Sequence, residues 1–210
     1  MLNVIIILIL AYLLGSLPAG KLVARIHELD ITTVGSGNPG ATNVWRMLGW
    51  KAALPVIIVD LGKGYAATVL VTQLQWGPLS VAMSSLQIMA GCCAIIGHMW
   101  SVFSNFSGGK GVLTALGMVV GLFPLAAGIC VVLWIVIFSI SRIVSLGSLI
   151  ASLALPVVVG LQKYQFDMDV PTNFFVFSLC LCLAIWYAHR SNIQRLRAGT
   201  ENRFGKAKGA

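Results

Sequence analysis

GVLTALGMVVGLFPLAAGICVVLWIVIFSI, residues 111–140, runs without a single charged side chain. A membrane-crossing helix needs about 20 apolar residues, so this run is too long for one ordinary crossing and short for two. Gly121 and Pro124 supply a break, because proline lacks the N–H and clashes with the preceding turn. The stretch therefore reads as two helices, at about 112–122 and 124–140. That reading decides the fold, because it sets whether the chain crosses the membrane an odd or an even number of times.

Outward from this stretch, further apolar runs lie at about 2–24, 52–74, 79–97, 143–161 and 172–188. The 210 residues are 58% hydrophobic, with a mean hydropathy of +0.92. Only 10% are charged, against about 25% in soluble domains. Inside hydrocarbon every backbone polar group must bond within its own segment, so runs of this kind form helices. The expectation is an all-α, polytopic integral membrane protein with seven transmembrane helices in a single domain over residues 1–210, five or six spans being the alternatives.

Charge orients it. The first apolar run has no Lys or Arg before it, while Lys21 and Arg25 follow, the wrong polarity for a cleaved export signal. It suits a first span with the N-terminus outside. Of the 14 Lys and Arg residues, Lys63 lies inside a span and Lys163 in an external loop; the other 12 fall in or beside 25–51, 98–111, Ser141–Arg142 and the tail 189–210. The positive-inside rule puts those four segments, and the C-terminus, in the cytoplasm. The net charge of +8 thus reports orientation, and nucleic-acid binding is set aside because no basic stripe interleaves with aromatics. The five cysteines fall in apolar stretches without metal-site spacing, so no metal or cofactor is expected. Trp45, Trp50, Trp76, Trp100 and Trp186 lie near span ends, as an aromatic belt would.

The cytoplasmic segments carry the chemistry. In VGSGNPGATNVWR, residues 34–46, glycines including Gly37 surround Ser36, Asn38, Thr42, Asn43 and Arg46. In SNFSGGKGV, residues 104–112, Gly108, Gly109 and Gly111 surround Lys110 directly before an apolar helix. This fails as a nucleotide P-loop, which requires Gly where Ser104 stands and Ser or Thr where Gly111 stands. Backbone N–H donors, a point charge and a helix N-terminus nevertheless suit a phosphate or acyl-phosphate group. A third segment offers Arg142, Ser145 and Ser148; the tail offers His189, Asn192 and Glu201. Singly, each segment reads equally as a connector or an orienting charge. Jointly they would give one membrane face a site for an anionic water-soluble substrate beside a lipid. Asp60 and Lys63, three apart within a span, are costly at that depth and should pair. With His98 they are read as structural support. His27, Glu28 and Asp30 read as a solvated turn.

GSGNPGATNVWR, GHMWSVFSNFSGGKGV and HRSNIQRLRAGTENRFG resemble the three signature motifs of the bacterial acyl-phosphate:glycerol-3-phosphate acyltransferase family, called PlsY. DLGKG at 60–64 and SLGS at 145–148 are also similar to that family. The resemblance implies a plasma-membrane enzyme with a cytoplasmic active site. It would move a fatty acyl group from acyl phosphate to the 1-position of glycerol 3-phosphate, giving lysophosphatidic acid and inorganic phosphate, coupled functionally to the enzyme that makes acyl phosphate. Independently, none of His27, His98 and His189 has the aspartate of a His-x4-Asp acyltransferase; Thr32, Phe103 and Gln194 stand there instead. The expected mechanism uses positioning and charge stabilisation, with a substrate phosphate oxygen as base. Ser36, Asn38, Arg46, Lys110, Arg142, Ser145 and Ser148 would hold phosphate, and His189 and Asn192 would orient the glycerol hydroxyl, His189 being the reserve base. Ser36 as a nucleophile is a weaker option, and Glu201 would hold the basic tail. The competing class is a small transporter for an organic phosphate.

Overall fold

The structure is a computed structural model, described here over residues 1–74 and 79–205; Trp76 lies outside the described residues. Among those residues the chain forms ten α-helices and short π and 3-10 turns, with no strand. All seven apolar segments expected from the sequence are helical. Contacts group the chain, expected as one domain, into two compact units, Met1–Leu122 and Phe123–Ala210.

In the first unit, α1 (Leu2–Gly15) packs against α5 (Met83–Met99). Ile7, Ala11, Ala90 and Ala94 are fully buried between them. A Cβ on Gly15 would strike the Ala94 backbone, and one on Gly97 the Tyr12 carbonyl. The second close pair is α4 (Trp50–Tyr65) with α6 (Val112–Leu122), where a Cβ on Gly64 would meet the Thr114 carbonyl and one on Gly117 the Leu61 carbonyl. Lipid tails are as apolar as leucine, so helices in a bilayer associate by close van der Waals contact, and small residues permit it.

The run expected at 2–24 is one apolar run long enough to span, Leu2–Ile26, with an interruption in its helical ladder. After α1 the chain turns at Ser16–Pro18 into α2 (Ala19–Ile26), because Pro18 has no N–H to continue the ladder. The freed carbonyls are taken up from a distance: Ser101 Oγ donates to Ser16 O, and Lys63 Nζ to Leu17 O at 2.9 Å. α3 (Ala41–Leu48) lies on α4 through a cluster of Val44, Ala52, Ala53 and Val56.

The second unit consists of α7 (Pro124–Ser141), α8 (Val144–Tyr164), α9 (Thr172–Ala188) and α10 (Arg190–Arg197). Pro124 opens α7 at its first turn, where a missing N–H costs nothing. α10 is bent 62° from α9. The tail then folds back: Phe204 N donates to Arg142 O at 2.9 Å, and its ring stands edge-on to Phe138 at 5.6 Å.

Among the described residues, five helical runs are long and apolar enough to cross a membrane, or six if the bent α9–α10 pair counts as one span. With 11 residues, α6 is about 16 Å long, roughly half the hydrocarbon thickness.

Candidate active site

Each unit carries one polar cluster. In the first, the loop before α3 is built around Asn43, which is 1% exposed. Its Oδ1 accepts from Ser36 N at 3.0 Å, and its Nδ2 donates to Val34 O at 3.0 Å and Ile31 O at 3.2 Å. Asn43, expected to bind substrate, clamps the loop with its amide. Gly35 and Gly37 take φ of +63° and +68°, conformations that cost glycine nothing. Ser36 between them is exposed and held at its N–H. Asn38 Oδ1 accepts from Gly40 N at 2.9 Å, a local turn that leads into α3. Thr42 and Arg46 are half-buried in the first and last turns of α3.

The loop's outer edge is the solvated turn expected from the sequence. Asp30 Oδ1 accepts from the Thr32 hydroxyl at 2.6 Å and the Thr32 N–H at 2.9 Å. The Thr32 hydroxyl, then its N–H, hold the Asp30 carboxyl below the ordinary 3.8, with Lys21 and Arg25 assisting.

The glycine-rich turn lies at the far end of α5. Gly109 N donates to His98 O at 3.3 Å. Gly108, Gly109 and Lys110 are half-buried, and Gly111 adopts φ +75° immediately before α6. Beneath the turn sit two buried ionisable groups, Asp60 and Lys63, and the half-buried His98. Asp60 Oδ1 lies 2.9 Å from Lys63 Nζ and 3.4 Å from His98 Nδ1. Neither contact meets hydrogen-bond geometry at Oδ1; the Lys63 contact is an ion pair and the His98 contact a close approach of the imidazole edge. The expected Asp60–Lys63 pairing is therefore present, with His98 as a third member.

In the second unit, Glu201 is the hub. Oε1 accepts from Asn192 Nδ2 at 2.7 Å and Ser145 Oγ at 3.0 Å, while Oε2 accepts from Arg195 Nε at 2.7 Å. His189 is 3% exposed, and its Nδ1 lies 2.8 Å from Ile185 O. A carbonyl only accepts, so Nδ1 carries the proton, and in the neutral ring Nε2 keeps its lone pair. Ser148 Oγ donates to Val144 O at 3.1 Å and accepts from Trp134 Nε1 at 3.3 Å, which anchors it to its own helix and to α7. Arg142 is exposed, with a left-handed backbone at φ +59° that ends α7.

Ser145, Asn192 and Glu201 are thus brought together, as the sequence expected only loosely. The tail cation that Glu201 holds is Arg195. Its partner lies six residues on, beyond the left-handed Gly199 at φ +70°, so the regular helical spacing that flags ion pairs gave no signal.

The comparisons with known proteins agree with one another. A family profile described as glycerol-3-phosphate acyltransferase matches residues 5–199. A glycerol-3-phosphate acyltransferase of Chlorobaculum tepidum is 39% identical over 230 residues, covering 98% of this chain and 99% of that protein. Another, from Salinibacter ruber, is 40% identical over 209 residues, covering 95% and 91%. Among solved structures, the chain is similar to the glycerol 3-phosphate form of PlsY (YgiH), an integral membrane glycerol 3-phosphate acyltransferase, with a TM-score of 0.84, 35% identity and 96% of each chain covered. The lysophosphatidic acid form of that protein gives a TM-score of 0.81.

Proposed function

The chain belongs to the glycerol-3-phosphate acyltransferase family, and on that premise we propose how its residues perform the transfer. The protein is an integral membrane acyltransferase that acylates glycerol 3-phosphate. The donor is acyl phosphate and the acceptor atom is the 1-hydroxyl. That oxygen attacks the acyl carbon and forms the ester. The acyl carbon–oxygen bond to phosphate breaks, phosphate leaves with the electron pair, and the hydroxyl proton passes to a phosphate oxygen. A mixed anhydride is already activated, so the protein contributes chiefly orientation and charge neutralisation.

Lys110, with the N–H groups of Gly108 and Gly111, binds phosphate, helped by Ser36, Asn38 and Arg46. In the second unit, Arg142 and Ser145 are assigned to phosphate binding. His189 and Asn192 orient the glycerol hydroxyl, with His189 Nε2 as the reserve base. The observation that carries this reading is the Gly108–Gly111 turn. It puts a lysine and a left-handed glycine directly before the N-terminus of α6, where unpaired N–H groups attract anions.

Seven crossings, with α6 as a short one, would put the N-terminus outside and the tail inside. This keeps the motif segments in the cytoplasm of a bacterial inner membrane and satisfies the positive-inside rule. Purified protein in detergent, given acyl phosphate and glycerol 3-phosphate, should release inorganic phosphate and form lysophosphatidic acid. Uptake of an organic phosphate into sealed vesicles, with no new lipid made, would overturn the assignment in favour of a transporter.

A further inference from the structure

We infer that His98, oriented by Asp60, is the positioning residue that sets the Gly108–Lys110 turn and so presents the Lys110 amine to the phosphate of glycerol 3-phosphate. The inference rests on the acyltransferase reading above. Its ground is the way one residue shapes two consecutive glycines by two different groups. The His98 carbonyl accepts from Gly109 N at 3.3 Å and stands where a Cβ of Gly108 would have to go. The His98 ring, at Nε2, stands where a Cβ of Gly109 would have to go. The turn is therefore moulded on this histidine, backbone to Gly108 and imidazole to Gly109.

The opposite edge of the ring faces Asp60, with Nδ1 at 3.4 Å. Lys63, at 2.9 Å from Asp60 and donating to Leu17 O, already neutralises the carboxylate and mends the α1–α2 break. Structural pairing thus needs no third group, yet the imidazole is included. A carboxylate 3.4 Å from one edge of an imidazole attracts an N–H there and so biases the ring's direction. The crevice among Asp60, His98, Ser101, Ser107, Gly108 and Gly109 measures about 20 Å³, room for a single water. The ring is therefore confined between its carboxylate and the turn.

The test is a mutant cycle read as initial rates against glycerol 3-phosphate. His98→Ala should raise KM for glycerol 3-phosphate by about tenfold and change kcat by less than about threefold. Gly109→Ala should do comparable damage, and His98→Ala/Gly109→Ala should be no worse than the poorer single variant, because removing the ring makes room for the new Cβ. Gly108→Ala should gain nothing from His98→Ala, since its obstacle is the backbone carbonyl. Losses that multiply in the His98→Ala/Gly109→Ala protein, or a kcat collapse at unchanged KM, would overturn the inference. If His98→Ala yields no monodisperse protein, His98→Asn takes its place with the same expectation, keeping a donor for Asp60 without a ring atom at Nε2. A wild-type protein that releases no phosphate sinks the acyltransferase reading itself, whereas active wild type with multiplying losses sinks only this step.

Discussion

Arg195 Nε donates to Glu201 Oε2 at 2.7 Å, across the end of the last helix. Glu201 is 7% exposed at its side chain and Arg195 38%, so the acid is the buried member. Glu201→Ala would leave Asn192 and Ser145 without their acceptor, at a cost of about 1–3 kcal/mol for buried donors left unmet. Arg195→Ala should cost less, within about 1 kcal/mol for a pair with one exposed partner. Thermal unfolding in detergent should rank the two in that order.

Asn43 closes three bonds within its loop, so Asn43→Ala strands the Ser36 N–H and two carbonyls. Acyltransfer should fall by about tenfold or more, for a loss near 1–3 kcal/mol. Asn43→Asp should not rescue it. The carboxylate keeps the acceptor for Ser36 N but faces Ile31 O and Val34 O with no donor. Rates of both variants in membranes holding equal amounts of protein check this.

Lys110→Ala removes the point charge beside α6. If the lysine binds phosphate, activity should drop by about an order of magnitude or more, as expected for a lost charge-assisted contact. Unchanged kinetics would take Lys110 out of the site.

Gly117→Val should harm folding, since even a Cβ would strike the Leu61 carbonyl. Overpacking of this kind costs about 1–3 kcal/mol, read as lower yield of monodisperse protein. A Cβ at Gly128 meets nothing within 4 Å, so Gly128→Val should be tolerated.

The Asp30 turn gives a pH signature. Its carboxyl is held below 3.8, so the folded state binds the proton less readily than the unfolded chain. The contribution of the turn is fully present above the ordinary carboxylate value and is lost as pH falls through the lowered one. Asp30→Asn should make residues 27–34 more open to proteolysis at neutral pH, and that difference should shrink as pH falls through the lowered carboxyl value.

Much of the architecture was legible in the chain. Pro124 and Gly121 divided the 111–140 run where α6 ends and α7 begins, and the seven apolar segments are all helical. The break at Pro18 was equally visible in the letters, yet it was absorbed into one long apolar run. What makes that break tolerable, Ser101 and Lys63 meeting two carbonyls, comes from residues 85 and 46 positions away.

At the polar clusters, residue types were legible and roles were not. Asn43 stood in the right motif, but whether its amide faces a ligand or its own loop depends on how residues 31–36 curl. His98 was grouped with Asp60 and Lys63 as support from their types alone, but that its ring edge meets Asp60, on another helix, depends on packing. The cause is physical. Transfer of a segment from water to lipid is a sum over its own residues, so composition and periodicity determined which stretches are helical and apolar. Hydrogen bonds and ion pairs depend on the distance and angle between groups far apart along the chain, and those exist only after the helices have packed.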